Sequence, residues 1–167
     1  MKNKFVAIAL IIVSAASVAY ASFATTLTIN GTATATGNWD VRITGITPTA
    51  QVGATDHVST PTFTTTSATF NVDLAYPGAT SSYQVAIKNN GNISAKLNSI
   101  TDLTSINAGA PTYITYAISG VAVNDILAVG ATATATVTTT WSASATTNPA
   151  GANKAATITF NYVQNTP

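Results

Sequence analysis

The chain has 167 residues, among them 32 Thr and 30 Ala but no Glu and no Cys; 46% are hydrophobic, 7% are charged and the formal net charge is +1. That length suits one domain with a sizeable core, while the composition excludes a disordered acidic tail, cysteine chemistry and a disulfide scaffold. Helix surfaces are normally built from Glu, Lys, Arg and Gln, whereas Thr is stiff at its first side-chain torsion and sits well on a pleated surface, so an all-β fold is expected.

At the N-terminus, Lys2 and Lys4 precede an apolar run that starts at Phe5 and closes on Ala19, Tyr20 and Ala21. Residues 1–21 read as a secretory signal peptide cut after Ala21. The rival is an uncleaved anchor: the 17 residues from Phe5 to Ala21 would span about 25 Å as a helix, a little short of the ~30 Å hydrocarbon core. Without this segment 4 Lys and Arg face 5 Asp, which leaves no basic stripe and excludes nucleic-acid binding by charge neutralisation. The closing QNTP brings no hydrophobic tail, so membrane contact is expected only through the signal segment.

Residues 22–36, SFATTLTINGTATAT, alternate with period 2: Phe23, Leu27, Ile29, Gly31, Ala33 and Ala35 share one face, and Thr with Asn30 dominates the other. The spacing predicts a strand with one buried face, about 50 Å long when extended, far beyond the ordinary strand. The same parity continues through Trp39, Val41 and Ile43, with Asp40 and Arg42 outward, and residues 46–62, containing Pro48, Gly53 and Pro61, are expected to form a loop. Alternation then predicts strands through Ala68, Phe70, Val72 and Leu74 and through Tyr83, Val85 and Ile87, with a turn at Tyr76–Pro77–Gly78. The Asn-Gly pair within residues 89–92 suggests a hairpin to Ile93, Ala95, Leu97 and Ile100. Further strands are expected at Tyr113–Ser119, at Ala131–Ala143 and through Ala156, Ile158, Phe160 and Tyr162, with a turn of helix or a plain connection in SINAGAPT and in GVAVNDILAVG. Eight or nine such strands make a β-sandwich of jelly-roll or immunoglobulin-like type. The domain plan is thus 1–21 signal, 22–36 N-terminal strand and 37–167 sandwich, with Trp39 and Trp141 placed in the core by parity.

No constellation for catalysis emerges. The sole His57 lies beside Asp56, and one His with no Glu or Cys makes a poor zinc site. Asp40, Asp73, Asp102 and Asp125 are dispersed, no loop has dense calcium-ligand spacing, and neither a Gly-x-Ser-x-Gly elbow nor a Gly-rich phosphate loop is present. No catalytic residue, metal or cofactor is therefore expected. Asn30-Gly31-Thr32 and Asn92-Ile93-Ser94 fit the N-glycosylation acceptor pattern.

A strand at a free terminus frays unless something takes its edge, either its own domain or a groove in the next copy. The signal segment ending in AYA, LTINGTATATGNWDVRITGITPT and YPGATSSYQVAIKNNGNISAKL are similar to the TasA and camelysin family of biofilm-matrix fibre subunits and to the related archaeal bundling pilins. The resemblance implies a jelly-roll-like sandwich whose N-terminal strand completes the sheet of the next subunit, with Ser22–Thr36 as donor. Camelysin-like proteins also carry a metallopeptidase label; this chain has no His-Glu-x-x-His pattern, and the enzymatic role is not carried over. The expectation is a secreted, extracellular structural homopolymer whose filaments also touch laterally. The alternative is a monomeric, membrane-anchored cell-surface adhesion or glycan-binding module.

Overall fold

The computed structural model describes residues 28–57, 59–146 and 154–166. The chain divides between Ala35 and Thr36, and all the assigned strands lie beyond that point. They are β1 (Val41–Val52), β2 (Ala54–Asp56), β3 (Thr62–Phe63), β4 (Ala68–Thr69), β5 (Val72–Leu74), β6 (Thr80–Asn89), β7 (Ala95–Ile100), β8 (Ile114–Ser119), β9 (Ile126–Leu127), β10 (Thr132–Trp141) and β11 (Phe160–Gln164), with one short helix among the described residues, α1 (Thr104–Ala108). The fold is all-β and sandwich-like. An antiparallel sheet in the order β1-β6-β10-β8 supplies one layer; β11-β7-β9 and the two small ladders β2-β5 and β3-β4 supply the rest.

The period-2 patterning of β6 and β10 explains the main layer. Tyr83, Val85 and Ile87 on β6 and Ala135, Val137 and Trp141 on β10 are buried, while their neighbours are more open. Registers Ile87↔Ala133, Val85↔Ala135 and Tyr83↔Val137 stack these residues across the sheet, and Thr139↔Tyr116 and Trp141↔Ile114 extend the face onto β8. Ala95 and Leu127 of the second layer close on Val85, Ile87 and Ala135, with Val41, Ile43, Ile46, Phe160 and Tyr162 packed around them.

Three expectations are corrected. Residues 46–52 and 54–56 are strand rather than loop: β1 runs on to Val52 through register shifts between Ile43 and Gly45 and between Pro48 and Ala50, and β2 follows the bend at Gly53. As the edge of its sheet, β1 tolerates a proline that an interior strand would reject, and the first shift turns Ile46 rather than an odd-numbered residue inward. Secondly, residues 89–92 do not close a hairpin: β6 and β7 belong to different sheets. Buried Asn89 holds this crossing, its Nδ2 donating to the Ile93 carbonyl at 2.8 Å and to the Leu127 carbonyl at 3.1 Å, and its Oδ1 accepting from Gly91 N–H at 3.1 Å. Gly91 is required there by close approach, since a Cβ would lie 2.3 Å from the Asn38 carbonyl oxygen. Thirdly, Trp39 is 43% exposed, unlike Trp141 at 7%; it precedes β1 and lacks the strand neighbours that enclose Trp141.

Candidate functional site

A groove of about 1360 Å³ opens against the inward face of the main sheet. That is larger than the ~300–1,000 Å³ of a small-molecule pocket. Its floor comprises Ile43, Ile46, Val85, Ile87, Val137 and Thr139; residues 65–75 and 154–162 line its flanks. Both flanks carry strand patterning. Ala68, Phe70, Val72 and Leu74 are half-buried between exposed neighbours, and so are Lys154, Ala156, Ile158 and Phe160. Yet among the described residues β5 pairs only with β2 and β11 only with β7, each leaving one edge without a strand neighbour, and the backbone groups of Ala155–Ile158 have no hydrogen-bond partner there. Buried or strand-like backbone normally finds partners. The sequence gives both flanks the alternation of strands beyond the short ladders they form.

Each flank is anchored by its own contacts. Phe70 stacks on Tyr83 with ring centroids 4.4 Å apart, and the Tyr83 hydroxyl donates to Asp56, which also accepts from Gln51 Nε2 at 2.6 Å. Opposite, Lys154 Nζ donates to the carbonyls of Asn107, Gly109 and Pro111 at 3.0, 2.8 and 3.2 Å, and the Tyr116 hydroxyl donates to the Lys154 carbonyl. The paired His57 and Asp56 of the sequence reading part company: His57 Nδ1 lies 3.1 Å from Asp73 instead. Asp40 takes Arg42, whose guanidinium holds its carboxyl below the usual range. Among the described residues, no three His, Cys, Asp or Glu side chains gather as a metal-ligand group.

The described part of the tail that the sequence marks as a donor makes no strand pairing. Residues 28–39 are exposed and none is assigned to a strand; Ile29 is 92% exposed, and Asn30, Gly31, Ala33 and Ala35 are open likewise. Phe23, Leu27 and the signal segment lie outside the described residues. Asn92, the second acceptor motif, clamps the point where the tail leaves the sandwich: its Nδ2 donates to the Thr36 carbonyl at 2.8 Å and its Oδ1 accepts from Asn38 N–H at 2.7 Å. A glycan on that nitrogen would leave a single hydrogen for the Thr36 bond. Nothing in the acceptor pattern announced this clamp, nor the groove residues Trp39, Tyr113 and Thr139.

Comparison with protein families, with curated proteins and with solved structures gives no match, so the functional reading rests on the geometry.

The titration behaviour is also set by burial. Desolvation raises the Tyr83 phenol, helped by its bond to Asp56, raises Tyr116, and raises Tyr162 with a contribution from the Asp125 charge. Each phenol favours the fold while neutral, so this stabilisation is present below the ordinary tyrosine value near ~10 and is lost as pH climbs from there through the raised folded values. Lys154 is lowered by desolvation and acts in the opposite sense, its penalty easing as pH rises through the folded value. With three groups against one, circular dichroism should hold to about pH 10 and fall cooperatively above it as tyrosinate absorbance grows. Tyrosinate absorbance that rises in full while the circular dichroism stays flat would contradict this.

Proposed function

We propose that the chain is a secreted structural subunit that polymerises head to tail into extracellular filaments, its N-terminal strand filling the groove of the next copy. In this reading it is a donor-strand-complemented sandwich of the TasA and camelysin kind or of the archaeal bundling pilins. One observation carries the reading: among the described residues the same chain has a groove bounded by two strand-like edges without strand neighbours and a period-2 tail without one. From Ala133 to Trp141, the inward row of β10 spans about 27 Å, the reach of roughly eight extended residues, and Ile29–Thr36 supplies eight. Backbone pairing along both flanks would add affinity as in β-augmentation, and a head-to-tail contact that does not close on itself propagates. Few charges along the filament leave little mutual repulsion, which favours lateral contacts and bundling.

Deleting residues 22–36 tests this. The expected product is a folded monomer by sedimentation, with no filaments in electron micrographs of material whose parent form assembles. Filaments unchanged by the deletion would refute strand exchange. A second reading, a monomeric anchored glycan-binding module, draws on the exposure of Trp39 beside the groove; it predicts glycan affinity lost in Trp39→Ala and no filaments from the parent.

A further inference from the structure

The groove is chemically lopsided along its length. The registers order its floor from Ile43 and Ile87 through Ile46 and Val85, then Val137, to Thr139 with Tyr116, and finally Trp141 with Ile114. The first half is apolar and is bordered by Phe160 and Tyr162. The second half holds three buried polar atoms with no hydrogen-bond partner among the described residues: Thr139 Oγ1, Trp141 Nε1 and Tyr113 Oη. Thr139 is 2% exposed and Trp141 7%, and Tyr113 and Trp141 are in aromatic contact at 5.8 Å. Such orphans are rare in folded proteins and mark a place where a partner or an ordered water belongs.

We infer that this asymmetry admits the donor in one direction only: Ile29 over Val85 and Ile87, and Ala33 and Ala35 over Thr139 and Trp141. The inference rests on the strand-exchange reading and adds its polarity. Large apolar side chains of the tail lie toward its N-terminal side, whereas Gly31, Ala33 and Ala35 follow. Small inward residues leave room for water to reach the orphaned hydroxyls and indole, while a bulky Ile placed there would seal them off unpaired.

Topology leads to the same direction independently. The tail leaves its own sandwich at Thr36, fixed by Asn92 beside the Asn89 end of β6, which is the apolar end of its own groove. If its Thr36 end lies over the neighbour's Thr139 and Trp141, the apolar end of each subunit meets the polar end of the next, and the series stays open. The reversed direction sets apolar end against apolar end, which favours reciprocal exchange and a closed pair.

The chain contains no Cys, so introduced thiols report cleanly. Ala155 and Asn161 are exposed positions on the same flank, six residues apart or about 20 Å when extended. In filaments treated with a short thiol cross-linker, Thr34→Cys with Ala155→Cys should give a ladder of covalent oligomers at least tenfold stronger than Thr34→Cys with Asn161→Cys. Thr28→Cys should show the opposite preference, linking to Asn161→Cys. The inverted pattern in intact filaments overturns the proposed direction while strand exchange stands. Filaments in which neither tail thiol links to either site overturn strand exchange itself and the inference with it.

Discussion

Ile29→Asp should abolish filament assembly while leaving the melting temperature of the separate subunit almost unmoved. Because Ile29 is 92% exposed, its replacement removes no buried contact from the subunit, and surface changes of this kind stay within about 0.5 kcal/mol. In the proposed joint the same position sits over Val85 and Ile87. There the substitution forfeits roughly 1.5–3 kcal/mol of apolar burial and adds the several-kcal/mol penalty of an unpaired carboxylate. A combined loss of about 5 kcal/mol weakens each joint by more than ~10³-fold. The critical concentration, measured by sedimentation, should therefore rise beyond reach, whereas Ile29→Val should retain assembly. A fall of more than about 5 °C in the melting temperature of the Ile29→Asp subunit, on the scale of 1 kcal/mol or more, would place Ile29 in its own core and defeat the donor assignment.

The second large effect concerns stability. Asn89→Ala should lower the melting temperature by about 10 °C or more, corresponding to roughly 3–5 kcal/mol. The side chain is fully buried, and its amide satisfies the Ile93 and Leu127 carbonyls and the Gly91 N–H. Alanine strips the Ile93 and Leu127 carbonyls of this donor where water cannot readily replace it, at about 1–3 kcal/mol each, and leaves Gly91 N–H with only its 3.2 Å bond to the Asp40 carbonyl. Asn89→Asp should be at least as damaging, because it removes both donors and introduces a charge. Thermal unfolding followed by circular dichroism gives the answer, and a shift below about 2 °C, under 1 kcal/mol on this scale, would show that the crossing between sheets is held by something else.

The strands of the main layer were legible because alternation is a local property. Tyr83, Val85 and Ile87, and Ala135, Val137 and Trp141, announce one buried face by spacing alone. Which strands neighbour one another is less accessible: the Asn-Gly signal at residues 90–91 suggests a hairpin, whereas the side chain of Asn89 redirects the chain into another sheet. Pro48 was read as a loop marker, since its tolerance at an edge depends on a sheet position that sequence does not declare. The groove could not be read in advance at all. Its flanks come from residues 65–75 and 154–162, segments whose strand patterning is visible but whose lack of a mutual neighbour becomes apparent only in three dimensions. For the tail, parity suggested an amphipathic strand, and its exposure in the single chain leaves that face without a partner.

The edge formed by β1 has a consequence for the fidelity of growth. Unprotected sheet margins recruit stray chains, and Pro, bulges and charged side chains are the usual deterrents. Along β1, Pro48 offers no N–H, two register shifts break the regular ladder, Ile43 N–H is already occupied by the Thr65 carbonyl at 2.8 Å, and Arg42 is paired with Asp40 at its start. This margin is a poor template for sideways recruitment. A Thr-rich chain with strong strand patterning is thereby discouraged from branching or piling into amyloid-like stacks, and in the proposed filament extension would be confined to the end that carries the groove.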